Sequence, residues 1–309
     1  MKIFPARDIG KMFARLSEEL PDTGAVTEKH TNLPYGENPR QAIDIYLPEN
    51  RGEKPVPAVI FLHGGGWQSG DRADAQMLPV FRLLKCGYAV ISAGYRLSDT
   101  VTFPRNLYDV KAALRFVSDN AQRYGIDSER LFLSGASAGG QLALLAAFTL
   151  GQAVYDGARG ADGRFTAGAD CSELKLAGVI AFYPPTDFLT QDAQFEQMDI
   201  PRAEPESPDR LSGADIMFGA KMTASPELVR FVNPIDSVHA KVPPTLLLHG
   251  WLDPIVPALQ SETLHEKITA VCGAGRSECR ITADGILHAD PDFAKPEWTE
   301  IILRFLERA

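Results

Sequence analysis

Short apolar runs alternate with longer segments of helical periodicity along most of the chain. The runs at 58–62 and 176–183 are almost entirely apolar, as is typical of strands that are buried on both faces of a parallel sheet. This alternation predicts repeated strand–helix–strand units, and therefore an α/β protein with a mostly parallel, doubly wound sheet. The predicted strands are 41–47, 58–63, 88–93, 130–134, 176–183, 245–249 and 279–283.

Helical patterns lie between the predicted strands. In the clearest case Val110, Ala113, Leu114 and Val117 follow helical spacing and form one apolar face. The helices predicted to flank the sheet are 73–86, 104–124, 138–150, 257–271 and 296–307.

Three segments interrupt the alternation. Apolar residues between 9 and 20 have the spacing of an amphipathic helix, which predicts an N-terminal helix at about 1–22. Residues 151–172 are rich in Gly, Ala and Asp and indicate a surface excursion. Residues 186–238 are long, mixed and partly proline-rich, and we interpret them as a cap or lid because loops of this length often have that role. We expect a single domain over 1–309.

The composition narrows the classes of partner. Apolar residues make up 45% of the chain and charged residues 23%, the balance of an ordinary soluble globular protein. The formal net charge of −9 and the absence of a Lys/Arg run argue against nucleic acid and anionic membrane surfaces as partners. No apolar run approaches the ~18–20 residues that span a bilayer. The composition leaves a homo-oligomer open.

The N-terminus and the cysteines indicate the compartment. Residues 1–20 mix charges among apolar positions and lack the apolar stretch of a signal peptide. The cysteines include no C-x-x-C pair, which favours reduced thiols over a disulfide framework or a metal site. We therefore expect a cytoplasmic protein, although a chain from which a signal peptide had been trimmed would give the same sequence. The four cysteines are Cys86, Cys171, Cys272 and Cys279.

A G-x-S-x-G pentapeptide at 135–139 is the strongest chemical signal. It follows the apolar strand 131–134 and precedes the apolar helical stretch 141–148. This strand–turn–helix setting is typical of a nucleophile elbow, in which a strained turn exposes the serine hydroxyl. We therefore predict Ser137 as a nucleophile. The alternative is an ordinary glycine-rich turn between a strand and a helix.

The second signal is the sequence His-Gly-Gly-Gly-Trp at 63–67, directly after a predicted strand. Consecutive glycines let backbone N–H groups point into a site, and acyl transfer needs such donors for the oxyanion of its tetrahedral intermediate. We predict the N–H groups of Gly65, Gly66 and Ala138 as these donors. A phosphate-binding loop is the alternative, but its glycine–lysine motif is absent. Trp67 is predicted to bind substrate, with a packing role as the alternative.

A serine nucleophile needs a base, and the base needs a carboxylate that orients it. His288 follows the last predicted strand, where hydrolases with a nucleophile elbow place the base. Asp253 follows an apolar strand and precedes His288 by 35 residues, which gives the order serine, acid, histidine. Asp187 is the alternative acid. His265 lies within a predicted helix and is better suited to a surface or packing role.

Together these motifs resemble the α/β-hydrolase carboxylesterases, in particular their feruloyl-esterase-like and hormone-sensitive-lipase-like branches. The resemblance covers about residues 35–308. Ser98 and Asp99 stand where the lipase-like branch has Ala-Pro-Glu, which favours the feruloyl-esterase-like branch. Further stretches that fit the resemblance are 43–48, 95–97, 109–116 and 183–187.

The resemblance implies an α/β-hydrolase fold and a serine esterase that acts on small-molecule esters without a cofactor. Ser137 would attack the ester, His288 would transfer the proton, and Asp253 would orient His288. The charges of segment 186–238 add a preference for short acyl chains, because a charged cap does not partition into lipid. An amidase, formamidase or peptidase with the same triad remains the rival enzyme. A non-catalytic small-molecule-binding protein is the rival from another class.

Overall fold

The computed structural model describes residues 20–49, 51–52, 54–160, 165–203, 211–283 and 285–309. The helix predicted at about 1–22 lies outside these residues except for 20–22, which are not helical. Residues 204–210 of the predicted cap also lie outside them.

A sheet of eight strands forms the centre of the molecule. The strands, with a separate two-stranded hairpin at β6 and β7, are β1 (Lys29–Pro34), β2 (Ala42–Tyr46), β3 (Val56–Leu62), β4 (Ala89–Ala93), β5 (Ile126–Ala136), β6 (Gly157–Arg159), β7 (Phe165–Gly168), β8 (Gly178–Phe182), β9 (Thr245–Gly250) and β10 (Ser277–Thr282). The order across the large sheet is β1-β2-β4-β3-β5-β8-β9-β10. The pairs β1–β2 and β2–β4 are antiparallel and the others are parallel, so the mostly parallel sheet predicted above is confirmed.

Helices follow most of the strands. The α-helices of the described residues are α1 (Leu78–Phe81), α2 (Arg105–Asn120), α3 (Ala138–Phe148), α4 (Ala153–Asp156), α5 (Gln191–Met198), α6 (Gly213–Phe218), α7 (Pro226–Val229), α8 (Leu259–Cys272) and α9 (Pro296–Arg308). Short 3₁₀ turns lie at Ala75–Met77, Arg82–Cys86, Gln122–Tyr124, Met222–Ala224, Pro234–Ser237 and Pro291–Ala294. Within the described ranges, none of these helices has the length and apolar character needed to cross a membrane.

The sheet separates two hydrophobic cores. On β3, Ala58, Ile60 and Leu62 face one core, which contains residues of α2, α3 and α8. Val59 and Phe61 face the other core, which contains residues of α1 and α9. Because successive side chains of a strand point to opposite faces, a strand covered on both sides needs apolar residues at every position. This is why the central strands are continuous apolar runs in the sequence.

Residues 73–86 do not form the single helix that was predicted. They consist of one 3₁₀ turn before α1 and one 3₁₀ turn after it. Pro79 lies in the first turn of α1, and a proline has no backbone N–H to continue a helix that began earlier. The apolar spacing correctly indicated helical turns in this segment, but the proline prevents them from forming one continuous helix.

The predicted surface excursion at 151–172 has more structure than expected. It contains α4 and the hairpin of β6 and β7. An ion pair between Lys111 Nζ on α2 and Asp156 Oδ1 spans 3.0 Å, with side chains 0% and 4% exposed. Burial lowers the pKa of the Lys111 amine, and the Asp156 carboxylate opposes this change. The pair fixes the excursion to α2, because breaking it would leave a buried charge without its partner.

Within the segment predicted as a cap, 186–238, the described residues pack against the same core as α3. Met217, Val229 and Val232 are buried in that core. A buried side-chain amide fixes the start of the segment: Gln260 Oε1 accepts hydrogen bonds of 2.7 Å from the N–H groups of both Thr186 and Asp187. The described part of this segment is therefore anchored to α8.

Candidate active site

Ser137 lies in a strained turn between β5 and α3. Its backbone has φ 52° and ψ −119°, a conformation that residues other than glycine rarely adopt. Its N–H donates a hydrogen bond of 2.9 Å to Phe182 O on β8. Such strain persists only where surrounding structure enforces it, and it is frequent at functional sites. The strand–turn–helix setting expected for Ser137 is therefore present.

Two glycines beside Ser137 allow close backbone contact. A Cβ atom on Gly139 would lie 2.2 Å from Leu62 O and 2.4 Å from His63 O, and both of these atoms belong to the backbone. A Cβ on Gly135 would lie 2.2 Å from Gly139 O. A side chain at Gly139 would therefore separate the serine turn from the end of β3, and one at Gly135 would separate the end of β5 from the first turn of α3.

His288 connects Ser137 to Asp253. The distance from His288 Nε2 to Ser137 Oγ is 2.8 Å, and that from His288 Nδ1 to Asp253 Oδ2 is 2.7 Å. Since an ionised carboxylate only accepts hydrogen bonds, Nδ1 carries the proton, and in the neutral ring Nε2 can accept the serine proton. The Tyr183 ring lies 4.6 Å from the His288 ring, between centroids. The structure thus brings together the three residues that the sequence predicted as a triad.

The Asp253 carboxyl is fully buried and kept ionised. Burial alone would raise its pKa, but the charge of His288 and hydrogen bonds from His249 and His288 outweigh burial and lower the pKa below its ordinary value. Its Oδ1 atom also accepts hydrogen bonds of 2.8 Å and 2.9 Å from the N–H groups of Ile255 and Val256. Hydrogen bonds to a carboxylate favour its charged form.

The alternative acid and base lie elsewhere. Asp187 Oδ1 accepts hydrogen bonds of 3.1 Å from Leu189 N and from Asn233 Nδ2, so it closes a turn of segment 186–238. His265 lies on α8, and its buried Nδ1 has no hydrogen-bond partner within the described ranges. The geometry therefore favours Asp253 over Asp187 and His288 over His265.

The glycine loop after β3 turns sharply. Gly65 has φ +103°, which favours glycine, and its carbonyl accepts hydrogen bonds from the N–H groups of Gln68 and Ser69. Among the residues that the structure describes, the N–H groups of Gly65 and Gly66 have no acceptor. Ala138 is the first residue of α3, where an α-helix leaves N–H groups without an intrahelical acceptor. The three predicted donors are therefore free to bind another group.

His63 anchors the start of this loop. Its Nδ1 lies 2.8 Å from Gly64 O, and its ring is stacked on Tyr95 with 4.5 Å between centroids. The Tyr95 hydroxyl donates a hydrogen bond of 2.8 Å to His63 O. Burial lowers the pKa of the His63 imidazole, which favours the neutral form of the ring.

Trp67 is only 5% exposed and connects the glycine loop to α3. Its indole N–H donates a hydrogen bond of 3.1 Å to Gln141 Oε1, and Gln141 Nε2 donates one of 2.8 Å to Val232 O. Sequence reasoning missed Gln141, although a single polar side chain in the otherwise apolar helix 138–148 was a usable signal. The substrate-binding role of Trp67 stays a prediction, since these contacts are with protein groups.

A model of the BD-FAE family matches residues 43–268, which is more than half of the chain. The chain belongs to the BD-FAE family. This membership confirms the predicted relationship to feruloyl-esterase-like and lipase-like proteins.

Curated relatives of this BD-FAE member include esterases. Esterase LipC of Mycobacterium tuberculosis is 28% identical over 241 residues, which cover 77% of this chain and 54% of LipC. Isoprenylcysteine alpha-carbonyl methylesterase ICME of Arabidopsis thaliana is 29% identical over 244 residues, which cover 78% of this chain and 52% of ICME. The chain spans about half the length of these relatives.

Solved structures confirm the α/β-hydrolase fold of the BD-FAE member. A truncated form of a carbohydrate esterase from gut microbiota superposes with a TM-score of 0.78 at 25% identity, covering 94% of this chain and 99% of that one. Esterase B from Lactobacillus rhamnosis superposes with a TM-score of 0.71 at 24% identity, covering 98% and 90% of the two chains.

The backbone contact at Gly139 gives a test of the site's construction. We expect Gly139→Ala to lower the free energy of unfolding by about 1–3 kcal/mol or more, because neither carbonyl oxygen can yield without moving β3. Urea unfolding measures the change. Gly24→Ala is the control, since its Cβ would meet only the Asp22 side chain, at 3.3 Å. If both variants lost the same free energy of unfolding, the backbone contact at Gly139 would not be the reason for the loss.

Proposed function

We propose that this chain is a serine carboxylic-ester hydrolase. Ser137 Oγ attacks the ester carbonyl while His288 Nε2 takes the hydroxyl proton and then gives it to the leaving alcohol. Asp253 holds the imidazole in the required tautomer and stabilises the imidazolium. Water, activated by the same base, then hydrolyses the acyl-enzyme. The proposal rests on one observation: an unbroken hydrogen-bond chain of 2.7 Å and 2.8 Å that ends on a serine in a strained turn.

The oxyanion of the tetrahedral intermediate would accept hydrogen bonds from the N–H groups of Gly65, Gly66 and Ala138. The contact between the glycine loop and the serine turn supports this assignment. A Cβ on Gly64 would lie 3.0 Å from Ala136 O, so the backbone of the glycine loop packs directly against the backbone next to Ser137. In related chemistry the loss of one such donor costs roughly 3–4 kcal/mol of transition-state stabilisation.

The choice of an ester substrate draws on the relatives. LipC and ICME are named an esterase and a methylesterase, and the carbohydrate esterase has the same fold. An amidase would use the same groups. The two activities can be distinguished by measuring kcat/KM for an amide and an ester of the same acid. We expect the higher kcat/KM for the ester.

We further propose a single catalytic domain in which segment 186–238 covers the site. The position of α6 supports this arrangement, because a Cβ on Gly213 would lie 3.4 Å from Gly66 O in the glycine loop. The hydrogen bond from Gln141 to Val232 also links this segment to α3.

The nucleophile can be tested by Ser137→Ala. We expect kcat to fall at least ~10³-fold with the fold intact, because the members of a triad act as one unit. Hydrolysis of p-nitrophenyl acetate and labelling by a fluorophosphonate probe measure this loss, and Ser172→Ala, an exposed serine in a turn, is the control. A wild-type protein that neither turns over esters nor is labelled at Ser137 would instead be a non-catalytic binding protein.

The base and the acid predict a pH profile. We expect kcat/KM to fall as the pH is lowered, since a protonated His288 cannot accept the serine proton. Protonation of Asp253 does not cause this fall in kcat/KM, because the lowered pKa of Asp253 keeps its carboxylate ionised. His288→Ala should nearly abolish turnover, and Asp253→Asn should lower kcat by roughly 10³–10⁴-fold.

His265→Ala and Asp187→Asn are the matched controls for the base and the acid, since both residues lie outside the hydrogen-bond chain. We expect mild effects from each. Equal losses in Asp253→Asn and Asp187→Asn would remove the support for Asp253.

The acyl preference can be measured with a series of p-nitrophenyl esters. The charged side chains of segment 186–238 include Glu196 and Asp199, and a charged cap does not partition into lipid. Segment 186–238 also carries Asp192, which disfavours a lipid surface. We expect acetate or butyrate to exceed decanoate in kcat/KM. A maximum at the decanoate, or activation by micelles, would overturn this preference.

A further inference from the structure

A second histidine lies behind the Asp253 carboxylate. His249 is the fifth residue of β9 and is fully buried. Its Nε2 lies 3.0 Å from Val256 O and 3.3 Å from Asp253 Oδ2, the same oxygen that accepts the hydrogen bond from His288. Its Nδ1 lies 2.8 Å from Ser261 Oγ on α8. One imidazole therefore joins the strand, the turn that carries the acid, and the helix after it.

The partners of His249 determine its tautomer. Both atoms that face Nε2 are acceptors, a carbonyl oxygen and a carboxylate oxygen, so Nε2 must carry a proton. That N–H lies 3.0 Å from Val256 O, and Asp253 Oδ2 is a second acceptor at 3.3 Å. In the neutral ring, Nδ1 accepts the hydroxyl proton of Ser261. The serine hydroxyl can serve as donor here because it is able to rotate toward Nδ1.

We propose that His249 is a positioning residue for hydrolysis: its Nε2–H fixes the Asp253 oxygen that orients His288. The inference rests on the proposed function. Oδ1 of Asp253 is already held by two backbone N–H groups, whereas the partners of Oδ2 in the described part of the chain are the side chains of His249 and His288. Without His249, the buried Oδ2 would lose a donor on the side away from His288, and the carboxylate could rotate away from the geometry that His288 requires.

Two variants of His249 with amide side chains distinguish the contributions of its two ring nitrogens. In His249→Gln the amide nitrogen reaches the place of Nε2, so the donor to Asp253 is kept and the contact with Ser261 is lost. In His249→Asn the amide reaches only the place of Nδ1, so the contact with Ser261 is kept and the donor to Asp253 is lost. We expect His249→Asn to lower kcat by about 10- to 100-fold with KM little changed, and His249→Gln to restore most of kcat.

A second measurement does not depend on turnover. We expect the proton between His288 Nδ1 and Asp253 Oδ2 to give a far-downfield ¹H NMR resonance, because the hydrogen bond is buried and 2.7 Å long. We expect this resonance to shift or broaden in His249→Asn and to persist in His249→Gln. The same two substitutions at His265 are the control, since His265 lies outside the hydrogen-bond chain, and they should leave both kcat and the resonance unchanged.

Each outcome decides the inference. Equal kcat values in His249→Asn and His249→Gln, or an unchanged resonance in His249→Asn, would overturn it. If His249→Asn does not fold, a loss of kcat of more than about 10-fold in folded His249→Gln would overturn it and a retained kcat would support it. Failure of the proposed function gives a different result, because wild-type protein would then neither hydrolyse esters nor be labelled at Ser137.

Discussion

The contact between two backbone segments, the serine turn after β5 and the end of β3, is the constraint on which the candidate site depends. It requires a residue without a side chain at Gly139, because a Cβ there would meet Leu62 O and His63 O. The contact places the glycine loop beside Ser137. It also lets α3 begin immediately after the serine, so that the N-terminus of this helix lies beside the start of the glycine loop. The strained conformation of Ser137 is stabilised in turn by its hydrogen bond to β8.

Buried amide side chains hold the loops around this contact in place. Gln141 joins Trp67 of the glycine loop to Val232, and Gln260 binds the backbone at the start of segment 186–238. An amide both donates and accepts, so one side chain can satisfy two chain segments without burying a charge. A buried charge would need a partner of opposite charge, and its removal from water would cost free energy. The loops that border the site are thus fixed by neutral hydrogen bonds, while the ionised Asp253 lies within the hydrogen-bond chain itself.

Local signals account for what could be predicted from the sequence. Apolar runs located the central strands, and the motifs at 135–139 and 63–67 located the serine and the glycine loop, since each is a continuous stretch with its own pattern. Asp253 and Asp187 both follow strands, and only the position of their side chains relative to His288 distinguishes them.

The residues that were missed have partners far away in the sequence. Gln141 bonds to a carbonyl 91 residues later, and Gln260 bonds to a segment 74 residues earlier. No spacing rule links such positions, because the fold alone brings them together. His249 was visible as a polar residue at the end of an apolar strand, but its role depends on a turn whose geometry the sequence does not specify. Pro79 is visible in the sequence too, and it divides residues 73–86 despite their apolar spacing.

The two outer strands of the large sheet have consequences for how copies of the chain meet one another. β1 is irregular between His30 and Leu33, where Asn32 has φ 56° and donates its N–H to Asp44 Oδ1 rather than to a strand. β10 carries the charged pair Glu278 and Arg280. Bulges and charges on outer strands hinder a second molecule from adding a strand. These features of β1 and β10 therefore disfavour the edge-to-edge pairing of sheets that leads to β-aggregation.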